Sequence, residues 1–308
     1  MSNSTLNKAK VNKKDEFYTL LEDVKRELIH YTRHFEDKVI YLNCDNPNYS
    51  NFWAYFYKNF SLLGIKKLIA TYYGEESYKW EYNGKSVTKT KLKGDGDFKS
   101  PECIDILKDV DIVVTNPPFS LFRDFISLMV ERGKSFIVWG NQNALGHKEI
   151  FPLIKNNEVW TGYIANKTCA FQVPSDYENG KIIEGKKYIQ VPSITTFTNL
   201  DIEKEHVDIK LTKTYNEEDY TKYDNYDIIE VSRVANIPKD YYGIMGVPIT
   251  FIHKHNPEQF EILGSHRWEK DEDVIKSYKG SREECLKDKK TTINGKETYS
   301  RIFIRRIR

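Results

Sequence analysis

Paired cysteines are missing from this chain. Its four cysteines, Cys44, Cys103, Cys169 and Cys285, are scattered over 308 residues. No CxxC pair exists and no histidine sits at ligand spacing, so a bound metal is not expected and reduced thiols are. Long apolar runs are also missing. None approaches the roughly 18–20 residues that cross a bilayer, and the polar N-terminus has no signal-peptide core. A cytoplasmic protein without membrane attachment is expected. Excess charge of one sign is absent too: the formal net charge is +2 with 30% charged residues, so any nucleic-acid surface must come from local segregation of charge. Two basic stretches offer it, one at Lys8, Lys10, Lys13 and Lys14, the other from Arg301 to Arg308. Taken alone, each reads first as a solvated tail or strand face. There is no internal repeat and no GxGxxG or FxGxG turn, which argues against a generic dinucleotide site.

What is present suffices for a core: 39% hydrophobic and 14% aromatic residues, with 21 tyrosines. That length holds one large or two medium domains. Periodicity predicts a helix over Glu16 to Tyr31, a strand at Val39–Leu42, a helix over Ser50 to Leu63 and a strand at Lys67–Thr71. Asn83-Gly84 predicts a two-residue hairpin turn between Tyr82 and Lys85. Then come a helix (Pro101–Leu107), a strand (Asp111–Thr115), a helix (Leu121–Glu131), a strand (Ser135–Trp139) and a helix near Leu145 to Ile154. This alternation predicts an α/β fold built on a Rossmann-like, doubly wound sheet, whose ligands sit at the carboxyl ends of its strands. Beyond about residue 156 short β-like runs dominate, among them Cys169–Val173, Tyr188–Val191, Ile194–Phe197, Ile228–Val231, Ile249–Ile252 and Phe260–Leu263. The division expected is 1–163 and 164–308, the second part smaller and mostly β, with some of its strands able to return to the sheet.

Asn116-Pro117-Pro118-Phe119 follows the strand Asp111–Thr115 directly. As a bare tetrapeptide it is a turn. At the end of a buried strand and before a helix it matches the corner used to methylate exocyclic amino nitrogens. Such a nitrogen is a poor nucleophile, because its lone pair is delocalised into the ring. Two acceptors aimed at its hydrogens draw that pair back. The Asn116 side-chain oxygen supplies one and a carbonyl of the diproline the other. The prolines fix the backbone and remove competing donors, and Phe119 offers a face for a base. Preorganised dipoles then stabilise the developing charge without a strong base.

Three further segments have two readings each. Asp15-Glu16-Phe17-Tyr18-Thr19 is an acidic helix start that complements the helix dipole, or a cover for the methionine end of a cofactor through Asp15, Phe17, Tyr18 and Thr19. The turn from Asn43 to Pro47 is a plain turn rich in turn formers, or it is a cofactor site in which Asp45 accepts from the cofactor's amino group, with Asn43 beside it and the approach allowed by the turn around Pro47. Gly94-Asp95-Gly96-Asp97-Phe98 is a surface turn, or an acceptor (Asp97) and ring (Phe98) for an adenine.

In this order the strings DEFYT (15–19), NCDNPNYSNFW (43–53), LGIKKLIATYY (63–73), GDGDFKSPECI (94–104), DIVVTNPPFSLFRDFI (111–126), KEIFPLIK (148–155), FTNLD (197–201), YDNYDIIEV (223–231) and MGVPITF (245–251) resemble the EcoRI-methylase-like family of adenine-specific DNA methyltransferases over most of the chain. The resemblance implies S-adenosyl-L-methionine as donor. It implies double-stranded DNA as partner, with the target adenine rotated out of the helix, and a DNA-reading role for the second half. It carries Asn116, Pro117, Pro118 and Phe119 onto the adenine site, and the three segments above onto the donor site. Site-specific adenine-N6 methylation by a monomer is expected, as in restriction-modification or phage DNA protection, with any cognate endonuclease acting separately. Two rival readings stand: a methyltransferase for another amino group (cytosine N4, RNA, protein glutamine), and an inactive DNA-binding protein on the same fold.

Overall fold

The computed structural model describes residues 17–308. The Asp15 and N-terminal lysine expectations lie outside the described residues. The first element is a strand, β1 (Tyr18–Thr19), followed by α1 (Leu21–Leu28) and a 3-10 turn (Ile29–His34). The helix expected from Glu16 therefore starts at Leu21. Tyr18 and Thr19 are aromatic and β-branched, residues that fit an extended, half-buried ladder, and they pair antiparallel with Gln172 and Phe171.

Next come β2 (Val39–Leu42), α2 (Asn51–Lys58), β3 (Lys67–Ala70), the hairpin β4 (Tyr78–Tyr82) and β5 (Val87–Lys91), α3 (Pro101–Leu107), β6 (Ile112–Thr115), α4 (Phe122–Glu131) and β7 (Ser135–Asn141). The hairpin's register, Tyr82 opposite Val87, leaves a loop of Asn83 to Ser86, longer than the turn expected. The Asn83 side-chain oxygen accepts from the Lys85 and Ser86 amides, both at 3.0 Å, and this closes the wider loop. Strands β7, β6, β2 and β3 lie side by side and parallel. Their apolar residues are buried almost without break from Ile40 to Leu42, Ile112 to Val114 and Phe136 to Trp139, as strands covered on both faces require.

The chain then forms α5 (Phe151–Lys155), β8 (Trp160–Thr161), β9 (Lys167–Val173), β10 (Lys181–Ile183) and β11 (Lys186–Thr198). The helix expected over Leu145 to Ile154 is reduced to α5, where Pro152 sits in the first turn. Tyr188–Val191 and Ile194–Phe197 belong to one strand, β11, with a bulge between Val191 and Ile194. Among the described residues the sheet has eleven strands in the order β1-β9-β11-β7-β6-β2-β3-β4-β5, and β8 and β10 each pair with β11. Both flanks of the parallel core are antiparallel.

Beyond lie β12 (Ile229–Glu230), β13 (Met245–Pro248), β14 (Phe260–Ser265), α6 (Glu272–Lys276), α7 (Arg282–Lys287), β15 (Thr292–Ile293), β16 (Lys296–Glu297) and β17 (Arg301–Arg306). Ile249–Ile252, expected as strand, lies in a 3-10 turn, and the strand sits just before it at β13. The chain divides into two units, one of residues 1–142 and 161–200, the other of 143–160 and 201–308. In the second, the sheet β12-β13-β17-β14 packs Tyr223, Tyr226, Leu263, Val274, Cys285 and Phe303 into a core. Residues 143–160 join it through the Trp268 indole donating to the Gly146 carbonyl at 3.2 Å and through Lys155 pairing with Asp271 at 2.8 Å. Residues 161–200 return to the large sheet. Among the described residues no helix is long and apolar enough to cross a membrane.

Candidate active site

β2 hands the chain outward to β3 on one side, while β6 and β7 lie on the other, so the direction of winding reverses between β2 and β6. Loops leaving the two carboxyl ends there diverge and open a crevice. Asn43 to Pro47 leaves β2 at that point, and Asn116 leaves β6.

Asn116 is held at one end only. Its Nδ2 donates to the Phe17 carbonyl at 2.8 Å. A carbonyl accepts and never donates, so this contact fixes which end of the amide is nitrogen. Oδ1 is buried and has no partner among the described residues. Buried polar atoms are nearly always satisfied, so an unpaired acceptor at a crevice marks a position prepared for a ligand's N–H. Of the diproline carbonyls, Pro118's accepts from the Leu121 amide at 2.9 Å. Phe119 packs its ring centroid 5.7 Å from Phe17 and 6.2 Å, edge-on, from Phe171.

Asp45 lies buried just past β2. Ser50 Oγ donates to its Oδ1 at 2.7 Å, and Thr115 Oγ1 to its Oδ2 at 2.5 Å. The second bond spans the crevice from the β2 turn to the residue before Asn116. Ser50 also caps α2, its Oγ accepting from the Phe52 and Trp53 amides at 3.1 and 3.2 Å. Burial raises the Asp45 carboxyl to about 6, and the two hydroxyls oppose that rise. Burial, with the Asp45 carboxylate beside it, holds the Cys44 thiol well above its ordinary range.

The crevice is a cavity of about 490 Å³, within the usual range for a small-ligand site. It brings together Phe17, Tyr18, Thr19, Asn43, Asp45, Asp97, Phe98, Asn116 and Pro118, all singled out from the sequence. Pro47, Pro117 and Phe119 are not part of its lining. Phe98 rests against Phe125, ring centroids 5.1 Å apart. Asp97 uses Oδ1 to accept from the Lys99 amide at 2.8 Å. Sequence reasoning assigned no role to Tyr72, Tyr73, Asn51 or Ser120, which also line it. Tyr72 and Tyr73 follow β3 as the Asn43 turn follows β2, and that strand-end position was the signal available. Gly96 lines the wall at φ +78°, and a Cβ there would stand 2.1 Å from the Tyr72 carbonyl oxygen, so this close approach admits only glycine.

Besides Asn116 Oδ1, two more buried atoms of the lining lack partners among the described residues, Thr19 Oγ1 and Asn43 Nδ2. A donor, an acceptor and a hydroxyl, all desolvated and unsatisfied, suit a polar ligand of nucleoside and amino-acid character. The residues present therefore fit a methyl donor of that kind.

The chain matches the family model described as adenine-specific methyltransferase EcoRI over residues 5–307. It is 44% identical to the Type II methyltransferase M.EcoRI of Escherichia coli, over 99% of this chain and 97% of that protein. It is 43% identical to M.MgeORF184P of Mycoplasma genitalium and 42% identical to M.MpnI of Mycoplasma pneumoniae, both Type II methyltransferases, each over 83% of this chain and 84% of theirs.

Proposed function

The chain belongs to the family of the adenine-specific methyltransferase EcoRI, and on that premise we propose that it methylates the N6 amino group of adenine at a specific site in double-stranded DNA. The family's chemistry requires a methyl donor, and the one proposed is S-adenosyl-L-methionine, whose sulfonium supplies an activated methyl group. Phe17 to Thr19, Asn43, Asp45, Asp97 and Phe98 would hold it. Asp45 is suited to its ammonium group, because a cation stabilises the ionised carboxylate that burial disfavours.

The target base lies inside a duplex and has to be rotated out, at a cost of a few kcal/mol. Asn116 Oδ1 accepts one hydrogen of its amino group. The Pro118 carbonyl is already engaged, which leaves Pro117's as the second acceptor. Phe119, backed by Phe17 and Phe171, gives the extruded purine a ring to stack on, worth about 1–3 kcal/mol in comparable contacts. With an activated donor the residues mainly hold two reactants in line, and such positioning supplies up to roughly 7–11 kcal/mol. The second unit, residues 143–160 and 201–308, is proposed to read the DNA, and the protein to act as a monomer, apart from any cognate endonuclease.

The observation that carries this reading is the Asn116 amide, tethered through nitrogen and vacant at oxygen. Asn116→Ala removes the acceptor and should abolish transfer of labelled methyl to DNA while DNA binding in a mobility-shift assay persists. Transfer that survives the substitution would refute the role. Digestion of the product to nucleosides identifies the modified base and separates adenine from cytosine.

A further inference from the structure

The hairpin β10–β11 extends past the strand ends that carry the candidate site. Val173 and Gln172 of β9 lie opposite Lys187 and Tyr188 on one edge of β11, and Ile182 and Lys181 of β10 lie opposite the same two residues on the other. Farther along, Ile194 lies between Lys167 of β9 and Asn141, the last residue of β7. β10 therefore lies on the β7 edge of β11, beyond the carboxyl end of β7. Lys187 and Ile194 are seven positions apart, so the hairpin rises about 20 Å past the strand ends that carry the site. It does not stand apart from that site. Phe171 meets Phe119, and Tyr177, in the loop between β9 and β10, meets Phe17 with centroids 5.9 Å apart.

Its tip is built to stay extended in solvent. Ile183 pairs with Lys186, leaving Glu184 (φ +49°) and Gly185 (φ +76°) as a two-residue turn with both angles positive, the tight turn that matches strand twist. The root is tied by Lys187 Nζ, which donates to the Ser175 and Tyr177 carbonyls at 2.9 and 2.5 Å. Yet Ile182 and Ile183 are 71% and 56% exposed. Two bare isoleucines on an edge strand are a liability unless something covers them. Residues 181–187 carry three lysines against one glutamate, which points to a polyanion, although Asp176 and Glu178 precede them in the loop.

We propose that this hairpin is a wedge that enters the DNA beside the target base pair: Ile182 and Ile183 face opposite sides of the ribbon, so one enters the space the adenine leaves while the other lies against the neighbouring base step, and Lys181 and Lys186 meet the flanking phosphates. Apolar side chains inserted between base steps are a known way for proteins to hold duplexes open. The inference rests on the DNA-methylation reading above and adds which residues keep the base out.

The test uses the full chain, with its recognition sequence first found by long-read sequencing of DNA from expressing cells. Ile182→Ala with Ile183→Ala touches only exposed side chains, so melting and donor binding by calorimetry should match wild type. Methyl transfer to the intact duplex should fall at least tenfold in kcat/KM. It should recover to within threefold of wild type on a duplex whose target adenine faces an abasic site, where there is no pair to break. Wild-type rates on the intact duplex would overturn the proposal, including the case where the isoleucines only join two copies of the chain. So would an equal loss on both substrates. Failure of the wild-type protein to methylate any DNA would refute the underlying reading instead.

Discussion

Asp45 shows how a single side chain can report on a site. Its carboxyl is raised to about 6, against an ordinary value near 3.8 in the unfolded chain. A raised carboxyl binds its proton more tightly when folded, so its contribution to stability is fully present below about pH 4 and is lost as pH rises through about 6. Above that the free protein carries a penalty on the order of 3 kcal/mol. A cationic ligand reverses the preference. Donor binding measured by calorimetry should therefore tighten from pH 5 to pH 7. Asp45→Asn should weaken it, flatten its pH dependence and remove that group's fall in stability between pH 4 and 6. A variant that keeps the wild-type pH profile would show that another group titrates.

Residue identity made Asn116 and Asp45 legible in the sequence, because diproline corners and acidic turns after buried strands are local features. Gly96 was visible only as part of a flexible turn, since the carbonyl that forbids its side chain comes from Tyr72. The orphaned atoms of Thr19 and Asn43 are likewise set by tertiary packing, which spacing does not encode.

At the scale of elements, the core strands were legible because their burial is continuous. Val39–Leu42 and Pro101–Leu107 have the bounds expected. The misread pieces are those whose partners are distant. Tyr18 and Thr19 lie inside the helical pattern set by Phe17, Leu20, Leu21 and Val24, yet pairing with Gln172 and Phe171 draws them out as a strand. Nothing within ten residues of Tyr18 announces that. The start of α2 is a better-defined junction. Ser50 caps the helix and donates to Asp45 at once, so Ser50→Ala should cost about 1 kcal/mol for the cap alone and more for the unpaired carboxylate. Loss of that hydroxyl also removes one influence holding the Asp45 carboxyl down, so the destabilisation seen in urea should be larger at pH 7.5 than at pH 5. An equal loss at both would detach the cap from the site.

Across the whole molecule, every residue lining the cavity belongs to the unit of 1–142 and 161–200. The other unit holds a buried ion pair, Arg301 with Glu230, at 2.6 Å, each side chain about a tenth exposed. Removing one member strands a charge, at about 3–5 kcal/mol. Arg301→Ala should lower the unfolding transition of that unit while calorimetric donor binding stays at the wild-type value. Parallel loss of donor binding would mean that the cavity depends on both. The interleaving of the units was only partly legible. A change of rhythm after residue 156 is plain in the sequence, but the return of 161–200 to the first sheet depends on the pairing of β11 with β7, some fifty residues back along the chain.

The tether on Asn116 also dates the enzyme's readiness during its synthesis. Its latch is the Phe17 carbonyl, next to a strand that has no ladder until Phe171 and Gln172 exist. Ribosomes add roughly 5–20 residues each second, so for several seconds a nascent chain carries the diproline corner with its amide free to swing. A half-made copy is thus expected to stay chemically silent, because its amide is latched only once the ribbon of Phe171 and Gln172 reaches back to the oldest strand.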